Sequence, residues 1–215
     1  MSEDYRILSI ETSGKTCGVA ISSGDGLIGE YNVFKANSHD KILAESIKKI
    51  LNDTNTKIDE INAVALSSGP GSFTGLRIGA AIAKGLCFNN EMKLIAVPTL
   101  SAIAHSSIGI DKECIAVIPS NKELYYYQTF DNNSNPKSEI LLSDFNSIIS
   151  QKQESQFITG IIPNTEFLRK DEIVSVDLTA GMIARSAAKY FEESNFVDSE
   201  QFTPMYVQDF IPKTK

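Results

Sequence analysis

A glycine-rich segment that opens an apolar helix is the part of this sequence best suited to chemistry. It spans residues 67–86 and reads SSGPGSFTGLRIGAAIAKGL. Glycines permit backbone angles that other residues resist, and the free amides at a helix N-terminus attract anions such as phosphate. The P-loop pattern fails because no suitably spaced glycine precedes a lysine, and the G-x-G-x-x-G pattern fails because Thr74 occupies the third glycine position. The segment therefore indicates either another kind of phosphate-binding turn or a tight strand-to-helix connection without a ligand.

The helix that follows this turn is poor in charge. After residue 74 its charged side chains are Arg77 and Lys84. Gly75, Gly79 and Ala83 recur at intervals of four residues, so one face is almost bare backbone. A helix that is apolar nearly all round must be covered on more than one side. The pattern predicts close packing either on this chain's own first helix and sheet or on another subunit.

The apolar runs and turns of the first hundred residues predict the order strand, strand, strand, helix, strand, helix, strand. The strands are YRILSI, TCGVAIS, LIGEYNVFK, INAVALSS and KLIAVP, and the first helix is HDKILAESIKKILND, with Ser38 as its cap. This order is the unit of the ribonuclease H/actin-like (ASKHA) fold. In that α/β fold, two lobes, each built on a mixed sheet with helices, normally flank a nucleotide cleft.

The second half of the chain repeats this pattern less clearly. ECIAVIPS and ELYYYQTF predict paired strands, and DNNSNPKSE predicts an exposed loop. A short helix in DFNSIISQKQ, a strand in QFITGII and a longer helix in TAGMIARSAAKYFEES follow. We therefore predict two lobes, residues 1–105 and 106–215, the second being degenerate and ending in a C-terminal helix and an extended tail.

Composition limits the possible functions. The net charge of −7 over 215 residues disfavours direct binding to nucleic acid, because such binding depends on Lys and Arg displacing counterions. The three cysteines show no C-x-x-C spacing, so neither a disulfide framework nor a zinc site is predicted. The N-terminus carries no recognisable secretory signal and no apolar run reaches the length of a membrane span, so we expect a cytoplasmic protein without membrane contact.

Several segments together resemble one known family. ILSIETSGKTCGVAI, HDKILAESIKKIL, GPGSFTGLRIG and VPTLSAIA are similar to the TsaB family, also called YeaZ, and the likeness covers the first hundred residues well and the rest loosely. The resemblance implies the actin-like fold. It also implies a role in forming threonylcarbamoyladenosine beside the anticodon of tRNA, where TsaB is a paralogue of the transferase TsaD.

The distinction between TsaB and TsaD rests on residues that TsaD needs. TsaD proteins carry two metal-binding histidines four residues apart, and ungapped alignment from Gly71 places Thr99 and Ile103 at those positions. Isoleucine has no ligand atom, and the chain's two histidines, His39 and His105, are far apart in sequence. The second lobe also lacks a second phosphate turn, since VIPSNKELYYY holds no glycine. The chain is therefore interpreted as a catalytically inactive paralogue without a cofactor or metal, although weak nucleotide binding stays open.

The resemblance implies a heterodimer with TsaD, joined through the helices of the first lobe, and the ATPase TsaE as a third component. The same surface could form a homodimer when TsaD is absent, and tRNA would be reached only through the complex. The predicted partner-contact residues are Leu43, Ile47, Ile50, Leu76, Gly79, Ala80 and Ala83. The predicted vestigial phosphate loop comprises Glu11, Gly69, Gly71, Ser72, Thr74 and Gly75. No catalytic residue is predicted.

Glu11 allows two interpretations. The actin-like superfamily keeps an acid at the end of the first strand for metal-bound phosphate. The other interpretation is a carboxylate that caps the following turn by accepting hydrogen bonds from the amides around residues 12–14.

Three alternative functions remain open. The chain could be an ATP- and metal-dependent transferase like TsaD, or a peptidase, in its own right. It could be a sugar or acetate kinase of the same fold, for which Glu11 and the glycine turn supply only one side of the site. It could also bind tRNA alone, which its acidic charge and its lack of a basic cluster disfavour.

Overall fold

Two five-stranded sheets and the helices that cover them make up the described part of the chain. The computed structural model describes residues 5–34, 39–88, 90–120, 123–162 and 173–205. The predicted helix cap Ser38 and the last ten residues lie outside these ranges.

The first sheet has the strand order β3-β2-β1-β4-β5. Its strands are β1 (Arg6–Glu11), β2 (Cys17–Ser23), β3 (Gly26–Val33), β4 (Ala63–Ser67) and β5 (Lys93–Val97). The first three strands pair antiparallel, whereas β1, β4 and β5 run parallel. The helices are α1 (His39–Asp53), a short 3-10 helix (Ile58–Glu60), α2 (Phe73–Cys87) and α3 (Thr99–His105). All predicted elements of this half are confirmed.

Both faces of the first sheet are buried, which explains why its central strands are almost continuously apolar. Leu8 and Ile10 of β1 face α1 and α2, whereas Ile7 faces the helix near the C-terminus. Successive side chains of a strand point to opposite faces, so one short strand supplies apolar groups to two separate cores.

The second sheet repeats the topology of the first, with the order β10-β9-β6-β7-β8. Its strands are β6 (Glu113–Pro119), β7 (Leu124–Phe130), β8 (Leu141–Asp144), β9 (Gln156–Gly160) and β10 (Ile173–Ser175), and its helices are α4 (Phe145–Gln151) and α5 (Ala180–Glu192). β8 and β10 are too short to be predicted from sequence. The repeated order confirms the actin-like fold class.

The helices do not divide between the sheets as the strands do. α5 follows the second sheet in sequence but packs across β1 and β2 of the first sheet, whereas α3 packs on β6 of the second. The N-terminus of α5 is held by β3: Asn32 Oδ1 accepts from the Ala180 amide at 3.0 Å, and Glu30 Oε2 accepts from the Gly181 amide at 2.7 Å. Strands before residue 105 therefore form the first sheet and strands after it form the second, but α3 and α5 each pack on the sheet of the other half. The two-lobe division by residue number stays a prediction.

The chain after α5 returns along the first sheet. The Val197 amide donates to the Leu94 carbonyl at 2.9 Å, and the Met205 amide donates to the Ser68 carbonyl at 2.7 Å. Residues 194–205, the tail segment, thus run from the edge of β5 to the glycine-rich turn. Among the described helices, none combines the length and apolar character that crossing a membrane requires.

Candidate functional site

The glycine-rich turn connects the end of β4 to the start of α2. Gly69 adopts φ of +108°, a conformation that favours glycine, and the Gly69–Pro70 peptide bond is cis. Ser72 is the N-cap of α2, and its Oγ accepts from the Gly75 amide at 3.3 Å. The predicted turn and helix are therefore both present.

The turn that follows β1 fills one side of this space. The Ser72 amide donates to the Ser13 carbonyl at 2.6 Å. A Cβ atom added to Gly71 would overlap the Ser13 carbonyl oxygen, and one added to Gly75 would overlap the Thr12 carbonyl oxygen. These glycines are thus required for close backbone packing within this chain.

Groups from distant parts of the sequence close the remaining sides. A Cβ atom added to Gly69 would lie 2.6 Å from the Met205 carbonyl oxygen of the tail segment. Gly14, on the opposite side, faces Leu178 and Ile161, whose Cδ1 atoms would lie 3.7 and 3.8 Å from an added Cβ. Apolar side chains from the second half therefore lie close to the turn that follows β1.

Glu11 is fully buried beside this turn. Its Oε1 accepts from the Ser13 amide at 2.6 Å and from the Ser13 hydroxyl at 2.7 Å, which is a turn-capping contact. Its Oε2 has no hydrogen-bond partner among the described residues. Burial raises the pKa of the Glu11 carboxyl group from 4.5 to about 7, and the hydrogen bonds from Ser13 oppose this rise.

The positions of the metal-binding pair of TsaD hold core residues in this chain. Thr99 and Ile103 are both fully buried, and Ile103 packs in the apolar cluster between α3 and the second sheet. His39 Nε2 lies 3.1 Å from the Thr16 carbonyl, away from α3, which carries His105. Within the described ranges, no three His, Cys, Asp or Glu side chains come close enough together to hold a metal ion.

The predicted partner-contact residues need a correction. All seven are buried within this chain: Leu43, Ile47, Ile50, Leu76, Gly79, Ala80 and Ala83. They pack α1 and α2 against each other and against the sheet. Side chains in the interior cannot contact a partner, so contact through these helices would have to use their outer faces. The spacing of the small residues of α2 allowed packing either on this chain or on another subunit, and Gly75 and Gly79 pack against Thr12 of this chain.

The outer side of α2 carries a different set of residues. We call this surface the outer α2 face: Thr74, Ile78, Ala81, Ile82 and Gly85. These five side chains are exposed or half-buried and uncharged, and the exposed Arg77 lies beside them, one turn before Ala81. Phe88 extends the surface with 65% of its area exposed. The spacing of Ile78, Ala81 and Gly85 puts them on one side of α2. Only the packing of α2 on the sheet shows that this side faces outward.

The neighbouring outer side of α1 is charged. It exposes Lys41, Glu45, Lys48 and Lys49 to solvent. Lys49 Nζ pairs with Asp53 at 2.8 Å and Lys48 Nζ with Glu45 at 3.1 Å, both as exposed helix-surface pairs. An apolar contact at this side of the molecule would therefore depend on α2 more than on α1.

Comparison with protein families matches one family model. Residues 34–141, about half the chain, match the model for TsaD, tRNA N6-adenosine threonylcarbamoyltransferase. The match spans α1, the glycine-rich turn, α2 and the first strands of the second sheet.

Comparison with individual proteins points to the paralogues of that enzyme. The Bacillus subtilis tRNA threonylcarbamoyladenosine biosynthesis protein TsaB is 25% identical over 187 residues, which cover 84% of this chain and 80% of that protein. The Escherichia coli TsaB is 34% identical over 132 residues, covering 59% of this chain and 57% of that protein. YeaZ from Pseudomonas aeruginosa superposes with a TM-score of 0.81 over 94% of this chain and 100% of its own, at 19% identity. That structure supports the fold.

Proposed function

The chain belongs to the TsaB/YeaZ family, and from this premise we propose that it is a non-catalytic subunit that binds the transferase TsaD and supports tRNA threonylcarbamoyladenosine formation in the cytoplasm. The observation that carries the proposal is the packing of the glycine-rich turn against this chain's own backbone. Its glycines are packed against Thr12 and Ser13, and the space above Gly14 is occupied by Leu178 and Ile161.

Two observations support a non-catalytic role. A TsaD-like enzyme would bind nucleotide between two opposed glycine turns, and here the glycines of the one turn pack against the backbone of residues 12 and 13. Thr99 and Ile103, which the resemblance places at the positions of a metal-binding pair, are buried in the core. If the chain acts in threonylcarbamoyladenosine formation without catalysing a step, it acts by binding another protein.

The outer α2 face is the surface that fits such a role. A row of uncharged side chains on a helix, bordered by the exposed Arg77 and Phe88, is typical of a surface that is covered in a complex. Small side chains at Ala81 and Gly85 let another helix approach closely. The same face would pair with itself in a homodimer when TsaD is absent. TsaE would join as a third component, and tRNA would be bound through the assembled complex.

The experiment is size-exclusion chromatography with light scattering on this protein mixed with TsaD of the same organism. We expect a stable one-to-one complex with the parent chain. Ala81→Glu should weaken it by about tenfold or more, because a larger, charged side chain would have to be buried against the partner. Ser150→Glu is the matched control, since it adds the same charge at a position of α4 remote from α2.

Two outcomes would contradict the proposal. If Ala81→Glu and the parent bind TsaD equally, the outer α2 face is not the contact. If the parent forms no complex and hydrolyses ATP by itself, the protein is an enzyme and its phosphate turn must open. Circular dichroism of Ala81→Glu shows that any loss of binding does not result from unfolding.

A further inference from the structure

The tail segment runs beside α2 in the opposite direction to the helix. Lys84, near the end of α2, donates to the carbonyls of Glu200 and Phe202 at 2.9 and 3.2 Å. Further along the chain, the Met205 amide donates to the Ser68 carbonyl at 2.7 Å, just before the glycine-rich turn. The residues that follow Met205 in sequence therefore start at the N-terminal end of the helix that carries the outer α2 face.

The tail segment also lies on the side of α2 that borders this face. At about 100° per residue, Lys84 lies about 20° around the helix from Arg77 and about 60° from Ala81. Arg77 is exposed, and its guanidinium carbon lies 4.1 Å from the centre of the Phe73 ring. A chain that turns back along α2 after the tail segment would thus pass Phe73 and Arg77 before it reaches Ala81.

The next six residues have a composition that suits an apolar surface. Residues 206–211, which we call the distal segment, read YVQDFI, and four of the six side chains are apolar or aromatic. Asp209 is the one acidic residue in the sequence after position 205. It is complementary in charge to Arg77 at the border of the outer α2 face. An exposed pair of this kind adds little affinity but fixes the register of a contact.

The distal segment is long enough to reach the middle of the outer α2 face. Ala81 is eight residues after Phe73, where α2 begins, which is about 12 Å along the helix axis. Six residues of extended chain span up to about 20 Å. The end of the segment, at Phe210 and Ile211, can therefore reach Ala81.

We propose that the distal segment docks on the outer α2 face of its own chain when no partner is bound. Asp209 then lies beside Arg77, and Phe210 and Ile211 cover Ala81. Docking removes apolar surface of both parts from water, and attachment of the tail segment at Ser68 keeps the effective concentration of the distal segment high. The docked segment competes with TsaD for this face. The competition rests on the proposed function, whereas the docking does not.

The test of docking is the rate at which a thiol reagent labels the full chain that carries Ala81→Cys. The three native cysteines are buried, so fast labelling reports the introduced thiol. Adding Phe210→Ala with Ile211→Ala should raise the rate by about tenfold, because the side chains that cover the thiol are removed. Two controls are Thr214→Ala with Lys215→Ala, which should leave the rate unchanged, and Ser150→Cys on α4, which should label equally with either distal segment.

Dilution distinguishes the distal segment from a second copy of the chain. Docking within one chain protects the introduced thiol equally at every protein concentration, whereas protection by a homodimer falls on dilution. Protection that disappears on dilution overturns the proposal. A labelling rate that Phe210→Ala with Ile211→Ala does not change also overturns it.

A charge exchange tests the register. Asp209→Lys should raise the labelling rate of the Ala81→Cys chain, because it places two positive charges together, and Arg77→Glu added to it should restore the protection. Effects of the two substitutions that simply add would show that Asp209 does not lie beside Arg77.

Affinity for TsaD tests the competition in chains that keep Ala81. Phe210→Ala with Ile211→Ala should tighten the complex by up to about tenfold, because TsaD no longer displaces the distal segment. Unchanged affinity together with faster labelling would overturn the competition and leave the docking in place. If neither chain binds TsaD, the proposed function fails, and the labelling rates still decide whether the distal segment docks.

Discussion

Glu11 at the end of β1 is a buried acid that caps the turn after its strand. Its carboxyl group is fully buried, one oxygen caps the turn through Ser13, and the other oxygen has no partner among the described residues. A carboxylate in such a position is more costly when charged than when neutral. The residue therefore makes the stability of the fold depend on pH.

Glu11→Gln should remove that dependence. The pKa of Glu11 is raised in the folded state, so its contribution is fully present below about pH 4.5 and is lost as the pH rises through about 7. A rise from 4.5 to about 7 corresponds to a loss of roughly 3 kcal/mol for the parent protein at pH 8. The amide of the substituted glutamine mimics the neutral acid, so the variant should be the more stable form at pH 8.

Urea unfolding of the two proteins at pH 4 and pH 8 measures this difference. The stabilities should be similar at pH 4 and diverge at pH 8. A parent protein that is no less stable than the variant at pH 8 would show that Glu11 is charged at no cost in the folded state.

At the scale of the element, α2 contains two glycines with opposite surroundings. Gly79 faces inward, where an added Cβ would overlap Thr12 Oγ1, whereas nothing lies within 4 Å of a Cβ added to Gly85. Glycine makes a helix less stable than alanine does, unless neighbouring atoms leave no room for a Cβ atom. The two positions therefore form an internal test of which face of α2 is buried.

Gly79→Ala should destabilise the protein by about 1–3 kcal/mol through overpacking against Thr12. Gly85→Ala should stabilise it by up to about 1 kcal/mol, because alanine is the better helix former and meets no neighbour. Thermal unfolding of both variants provides the measurement. Equal effects of the same sign would contradict an orientation of α2 in which Gly79 faces the sheet and Gly85 faces solvent.

At the scale of the whole molecule, one lysine holds the tail segment on the first sheet. Lys84 Nζ donates to the Glu200 carbonyl at 2.9 Å and to the Phe202 carbonyl at 3.2 Å. Phe202 and Val197 pack against the core that α1 and α2 form with the sheet. The tail segment thus joins α5, β5, α2 and the glycine turn into one unit.

Lys84→Met should loosen the tail segment without unfolding the rest. It keeps the apolar stem but removes both hydrogen bonds, at a cost of about 1 kcal/mol. Hydrogen exchange should become faster at the Val197 and Met205 amides, and amides of β1 should stay protected. Lys48→Met, an exposed lysine on α1, is the control. Unchanged exchange at Met205 would show that the tail segment is held without Lys84.

The sequence alone determined the five strands and the two long helices of the first half, and the fold class, but neither α3 nor the 3-10 helix. Apolar runs, turns and the helical stripe of α1 are local patterns, and local periodicity reflects which face of an element is buried. The family resemblance likewise rested on contiguous segments, such as GPGSFTGLRIG. Short strands such as β8 and β10 escaped prediction because three or four residues carry too little periodicity.

Tertiary structure alone decided which side of α2 is inside and where α5 packs. Gly75 and Gly79 could serve contact with a partner or with this chain, and the choice depends on Thr12, which lies more than sixty residues away in sequence. α3 and α5 likewise pack against each other across the predicted boundary near residue 105. The periodicity of apolar residues within an element indicates that one of its faces is buried. Which distant segment covers it depends on packing across the whole chain, and no local pattern contains that information.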